Sequence, residues 1–139
     1  MYQRDCISLE EARLAAETVL KEAAKKPDKP IAVAVVDDRG DLVYFARLDG
    51  AWPLFVRMAI NKAYTAVTFG RHTSEWAERQ KQFEREVATW GDSKLTTIAG
   101  GLVFKNASGT KLGAIGVSGY PSPDEDEEVA YLGLGAVKL

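Results

Sequence analysis

Cysteine and histidine are nearly absent from this chain, which contains one of each among its 139 residues. A lone cysteine excludes a disulfide within the chain. With a single histidine besides, the chain lacks the nitrogen and sulfur ligands that complete a transition-metal site. We therefore predict neither a disulfide framework nor a metal centre. The low cysteine content also favours the cytoplasm over an oxidising compartment.

A surplus of positive charge and long apolar runs are missing as well. The formal net charge is −2 and the isoelectric point is about 5.5, so the chain lacks the basic excess with which proteins bind phosphate backbones. No apolar run approaches the roughly 20 residues of a membrane-spanning helix. Residues 1–7 contain no apolar secretory region. These absences predict a cytoplasmic protein that binds neither nucleic acid nor membranes.

Sequence signals for helices and for strands alternate along the chain. Hydrophobic residues make up 46% of the chain, which is enough for one core, and we expect residues 1–139 to form a single domain. Ser8 and Glu11 have the spacing of a capping box, and a turn at Gly40 separates two β-rich runs that predict a hairpin. The predicted elements are a helix over 8–26, strands over 31–36 and 42–47, helices over 53–68 and from 73 or 74 to about 91, strands over 95–98, 102–105 and 111–118, and a helix after Pro123. This order favours an α+β fold in which helices cover an antiparallel sheet.

Glycine interrupts the last predicted strand. Gly113 and Gly116 lie within it and Gly119 follows it. Because glycine inside a strand often marks the close approach of a ligand or another backbone, this segment predicts a concave site floored by glycine. Ser118 would add a hydroxyl donor at the same edge. The acidic run over 124–128 suits the positive end of the following helix, and we interpret it mainly as capping.

Lys62 is the charged residue with the least expected position. On a helical projection at about 100° per residue, it falls among apolar side chains (Phe55, Met58, Ala59, Ala66 and Phe69). An ammonium group there must reach solvent, pair with a carboxylate or contact a ligand, because burying it alone costs several kcal/mol. Two interpretations stay open. Lys62 is either a structural lysine or a pocket residue that fixes a substrate carboxylate or carbonyl, or acts as an acid or base.

Two further features are candidate parts of a site. Gly100 and Gly101 precede a strand and could present backbone amides to an anionic group, although a β-bulge explains them equally well. Trp52 lies in the loop before Pro53, where an aromatic ring could line a ligand pocket or a subunit contact.

Several segments, in this order, resemble the GlcG/HbpS family: residues 35–37 with Gly40 and residues 42–43, residues 46–51, residues 62–66 with 69–71, residues 100–102, and residues 113–119. That family includes heme-binding proteins and a domain appended to some cobalamin adenosyltransferases. The resemblance implies a profilin-like fold with a five-stranded antiparallel sheet between helical layers. It also implies homo-oligomers, commonly octamers. Within it, Lys62 falls in a recurrent Lys-Ala block and Asp49 becomes a further pocket candidate.

Heme is a cofactor that the resemblance allows, but its expected ligand is absent. Members that bind heme through an axial histidine carry that residue toward the N-terminal helix, and residues 8–26 contain no histidine here. We interpret His72, at a helix junction, as a capping or solvent-facing residue. Coordination through Tyr44, Tyr64 or Lys62 stays open.

Three functions are compatible with these residues. The leading hypothesis is an oligomer that holds a small molecule between the glycine-rich sheet edge and the second helix, with a small carboxylate or carbonyl compound favoured over a tetrapyrrole. The second is a cofactor-independent hydrolase, lyase or isomerase of small organic acids, with Lys62 as anchor or acid/base. The third is an assembly protein without a ligand. The candidate ligand-binding residues are Asp49, Trp52, Lys62, Gly100, Gly101, Gly116, Ser118 and Gly119.

Overall fold

The computed structural model describes residues 1–139 and places helices on both faces of one antiparallel sheet. The helices are α1 (Leu9–Ala23), α2 (Pro53–Phe69), α3 (Thr73–Gln82) and α4 (Pro123–Gly135). The strands are β1 (Ala32–Asp37), β2 (Leu42–Arg47), β3 (Gly101–Lys105) and β4 (Lys111–Ser118), in the sheet order β2-β1-β4-β3. The predicted α+β class and the predicted hairpin of β1 and β2 are therefore confirmed.

The prediction of a five-stranded sheet is wrong, because the sheet has four strands. The segment expected as an extra strand, residues 95–98, lies against α2 instead, where the Thr96 amide donates to the Thr65 hydroxyl over 3.0 Å. The third predicted helix also ends early. It stops at Gln82, Glu84 takes a left-handed φ of 48°, and a short 3₁₀ helix follows over Val87–Trp90.

The helix ends follow local sequence signals. Ser8 Oγ accepts from the Glu11 amide, and the Glu11 carboxylate accepts from the Ser8 amide, which is the predicted capping box. Pro53 begins α2, where its missing N–H costs nothing, and Gly70 ends that helix in the left-handed region with φ at 64°. No helix is both long and apolar enough to cross a lipid bilayer.

The strands divide the core into two layers because alternate side chains point to opposite faces. Val33 and Val35 face α1 and α4, together with most of the large apolar side chains of β3 and β4. Ala32, Ala34 and Val36 face α2 on the opposite side. The α2 face is thus lined with small residues, which lets this helix lie close to the sheet.

Candidate functional site

The closest approach of α2 to the sheet lies over two paired glycines. Gly101 of β3 and Gly116 of β4 are direct neighbours in the sheet. A side-chain carbon at Gly116 would overlap the carbonyl oxygen of Ala59, and one at Gly101 would overlap the carbonyl oxygen of Lys62. Both positions require glycine because the α2 backbone occupies the space that a side chain would need.

At Gly116 the structure leaves no space for the ligand that we predicted between the glycine-rich strand and the second helix. The gap at Gly116 is filled by α2 itself, whose Ala63 amide nitrogen would lie 2.7 Å from an added side-chain carbon. Gly113 faces the other layer, where Ile7 approaches to 2.8 Å by the same measure. Close packing of one backbone on another explains the glycine pattern without a ligand.

Lys62 leaves α2 at this crossing and reaches past the end of the sheet. Its Nζ donates to the Val117 carbonyl oxygen over 2.9 Å and to Asp126 Oδ2 over 3.0 Å. The Lys62 side chain can take this path only because residue 100 is glycine: a side-chain carbon there would lie 2.9 Å from Nζ and 3.0 Å from Cδ of Lys62. Since Asp126 belongs to α4, the ion pair joins helices on opposite faces of the sheet.

Both partners of this ion pair are removed from solvent. The exposed fraction is 1% for Lys62 and 3% for Asp126. Burial lowers the pKa of Lys62 and raises the pKa of Asp126, and their mutual attraction opposes both shifts. Asp126 Oδ1 also accepts from the Tyr120 amide over 3.0 Å, so the carboxylate is held from two sides.

Asp126, which contacts the candidate residue Lys62, is not among the residues predicted for the site. It lies inside the acidic run that we interpreted as capping, whereas Ser122 is the residue that caps α4. A signal was available in the sequence, because Asp126, Ala130 and Gly133 have the spacing of one helix face, and all three are buried. That face predicts a buried carboxylate, which is the partner that Lys62 requires.

The remaining predicted residues lie at the same end of the sheet as Gly100. Ser118 pairs with Ala32 at the start of β1, and Ala32 pairs with Arg47 at the end of β2. Gly119, with φ at 141°, and Gly50 both pack near Pro30, which brings the loop of Asp49 to this end. The structure thus gathers the predicted residues, with Lys62 and the paired glycines inside the packing and Asp49 exposed.

Trp52 presents an exposed aromatic surface at this end. Its side chain is 65% exposed, and its ring stacks on Phe55 with centroids 5.5 Å apart and an angle of 1° between the planes. Phe55, Phe45 and Ile60 are half-buried around the alanines of β1 and α2. We call the surface of Phe45, Trp52, Phe55 and Ile60 the open face.

His72 connects α3 to the edge of the sheet. It occupies the cap position of α3 without a side-chain capping bond, and its Nδ1 accepts from the Val103 amide of β3 over 3.1 Å. Thr73 acts similarly, because its hydroxyl accepts from the Gly101 amide over 3.0 Å. Burial lowers the pKa of His72, with Glu75 and Glu127 opposing the shift. His72 is therefore a neutral acceptor for an edge strand rather than a side-chain cap.

Comparison with known proteins identifies the family. Residues 7–135 match the family model described as haem degrading protein HbpS-like. The chain belongs to the HbpS-like family. The resemblance on which the sequence analysis relied is thereby confirmed.

Several known proteins are similar to the chain in sequence or in fold. Protein GlcG of Escherichia coli K12 is 31% identical over 98 residues, which are 70% of this chain and 71% of GlcG. A double mutant of HbpS from Streptomyces reticuli is 35% identical, with a TM-score of 0.87, over 100% of this chain and 92% of the other. A PduOC–heme complex has a TM-score of 0.83 at 23% identity, over 95% of both chains, and shows the fold alone.

Proposed function

We propose that this HbpS-like chain is a subunit of a homo-oligomer that binds a small organic ligand at the end of the sheet where Asp49, Trp52, Ser118 and Gly119 lie. The observation that carries this proposal is the exposed Trp52 ring, which stacks on Phe55 within the open face. Exposed, ordered aromatic rings are typical of ligand sites and subunit contacts. Since α2 fills the space over Gly116, the ligand lies on the loop side of the sheet end.

A carboxylate or carbonyl compound is the ligand class that we favour over a tetrapyrrole. Helix α1 contains no histidine to serve as an axial ligand, and His72 is engaged with Val103. A planar tetrapyrrole remains the alternative ligand, because a solved protein of the same fold is a heme complex and Trp52 offers a flat surface for stacking.

Fluorescence titration tests both ligand classes. We expect pyruvate, as a probe for small oxo acids, to change the emission of Trp52 saturably, and we expect Trp52→Phe to abolish this change. Trp90→Phe, which alters another partly exposed tryptophan, is the matched control. Hemin should give no saturable Soret shift. A hemin shift that Trp52→Ala removes would favour the tetrapyrrole, and an oligomer that binds neither probe would favour a pure assembly protein.

A second candidate function is catalysis by Lys62. The observation that favours it is Asp126, which supplies a second titratable group 3.0 Å from the Lys62 ammonium. A lysine whose pKa is lowered by burial is a better nucleophile toward a carbonyl, forming an imine with loss of water. Asp126 would hold the proton that the amine releases.

Reductive trapping separates this candidate from the first. If Lys62 reacts, incubation with pyruvate and borohydride should modify Lys62 ahead of the exposed lysines, as peptide mass spectrometry would show. Lys62→Met should lose this adduct and Lys21→Met should retain it. Labelling of surface lysines with Lys62 left unmodified would reject the catalytic role and leave ligand binding at Trp52 unaffected.

A further inference from the structure

A cleft of about 400 Å³ lies at the β3 edge, at the opposite end of that strand from Gly100. It is formed where the α2–α3 junction, the second half of β3 and the last turn of α4 with the residues after it meet. Its walls include Val103 of β3 and Leu134 and Val137 from the C-terminal segment, and its charged residues are Arg71, Glu75 and Lys105. The volume falls in the lower part of the range of small-molecule sites.

The two cations of this cleft lack partners. Neither Arg71 nor Lys105 forms an ion pair with a carboxylate of the protein. Arg71 is half-buried, and Lys105 is exposed at the end of the edge strand. Two unpaired cations beside an apolar wall favour an anionic group that is joined to an apolar body.

His72 adds a directed donor to the same wall. Because its Nδ1 accepts from the Val103 amide, the proton of the neutral ring lies on Nε2. The nearest carboxylate, that of Glu75, is 3.8 Å from Nε2, which is too long for a hydrogen bond. The Nε2–H group is thus free to donate to a ligand in the cleft.

We propose that this cleft binds a medium-chain aliphatic monocarboxylate. The carboxylate contacts Arg71, Lys105 and the Nε2–H group of His72, and the hydrocarbon chain packs on Val103, Leu134 and Val137. Glu75 is the one acidic side chain on the wall and repels the ligand. The site is separate from the Trp52 end of the sheet and does not depend on the ligand proposed there.

Calorimetric titration with octanoate tests the site. We expect saturable binding by the intact chain, weakened about tenfold or more by Arg71→Gln or Lys105→Gln, since each removes a charge-assisted hydrogen bond. Glu75→Gln should strengthen binding. Arg57→Gln, on the exposed surface of α2, should leave octanoate binding unchanged.

Two further probes separate the contributions of charge and chain. Octanol carries the chain without the charge, and acetate carries the charge without the chain, so both should bind much more weakly than octanoate. Equal binding of octanol and octanoate would overturn the proposal, because the cleft would then be only an apolar surface. Full octanoate affinity in folded Arg71→Gln and Lys105→Gln variants, or the absence of saturable octanoate binding, would also overturn it.

Discussion

At the scale of single residues, the buried pair of Lys62 and Asp126 is the most consequential interaction. A lysine on the apolar face of α2 is tolerated because a carboxylate from the opposite layer lies 3.0 Å from its ammonium nitrogen. Removing one partner of such a pair strongly destabilises the protein, since the other partner is left as an isolated buried charge. The loss of stability on breaking the pair is therefore more predictable than the net contribution of the intact pair to the free energy of unfolding.

A double-mutant cycle tests this coupling. We expect Lys62→Met to lower the free energy of unfolding by roughly 3–5 kcal/mol, because Asp126 loses its counter-ion. Asp126→Asn should be costly for the converse reason while still accepting from the Tyr120 amide. The double variant should lose much less than the sum of the two, as measured by urea unfolding. Additive losses would show that the two side chains do not interact.

His72 predicts a dependence of stability on pH. Burial lowers its pKa in the folded state, so the unfolded chain binds the proton first as the pH falls below the ordinary value of 6.5. Between the two pKa values the unfolded state holds more protons, and the free energy of unfolding decreases on acidification, by up to about 1.4 kcal/mol per pH unit.

The variant His72→Asn isolates this effect. Its Oδ1 can replace Nδ1 as acceptor for the Val103 amide but does not titrate. We expect urea unfolding between pH 7 and pH 5 to show a weaker loss of stability in His72→Asn than in the unmodified chain. An identical slope in both proteins would assign the acid sensitivity to other groups.

At the scale of elements, the contact of α2 with β3 and β4 organises the sheet end. The helix contributes Ala59 and Ala63, the strands contribute Gly101 and Gly116, and these small residues let the two backbones touch. The close approach also places the Lys62 side chain where it can pass Gly100. Packing of these elements therefore sets the geometry of the ion pair.

Substitution of Gly116 tests the close approach. We expect Gly116→Ala to lower the free energy of unfolding by roughly 1–3 kcal/mol or more, because the added methyl overlaps the Ala59 carbonyl and α2 must shift. Gly135→Ala is the matched control, since Gly135 ends α4 with no atom within 4 Å of the added carbon. This control should be neutral or stabilising by up to about 1 kcal/mol in thermal or urea unfolding. Equal effects at both positions would contradict the packing argument.

Element boundaries could be predicted from sequence where a local signal exists. The capping box at Ser8 and the start of α2 at Pro53 both lie at their predicted positions. The prediction of an extra strand over 95–98 was wrong because its β-prone residues find no free sheet edge. The Gly101 and Val103 amides at the edge of β3 already donate hydrogen bonds to Thr73 and His72. Tertiary contacts override the local preference of a short segment.

At the scale of the whole molecule, the coverage of the sheet is uneven. The residues of β1 are almost all buried, whereas those of β2 are half-buried or exposed. Helix α2 packs on β4, β1 and β3, and in the open face Trp52 stays exposed while Phe55 is half-buried. An exposed aromatic cluster of this kind is where we expect a second copy of the chain to bind.

Native mass spectrometry tests this expectation. We expect the unmodified chain to form a homo-oligomer, and we expect Phe55→Ser combined with Trp52→Ser to shift it toward monomers, because the apolar contact is lost. Phe83→Ser is the control, since Phe83 is 56% exposed but lies outside the open face. A double variant that retains the oligomer would place the interface elsewhere on the surface.

The sequence by itself determined the class of fold, the helix ends, the hairpin and the family, because these depend on local spacing and on residues that stay in register along the chain. It also singled out Lys62 and the glycines around it. Only the tertiary structure decided what they do, since Asp126 is 64 residues from Lys62 along the chain and the partner of Gly116 is a backbone carbonyl. A charged residue on an apolar face and a glycine within a strand can both be recognised in a sequence. Tertiary packing decides which group neutralises the charge and which atoms fill the space beside the glycine.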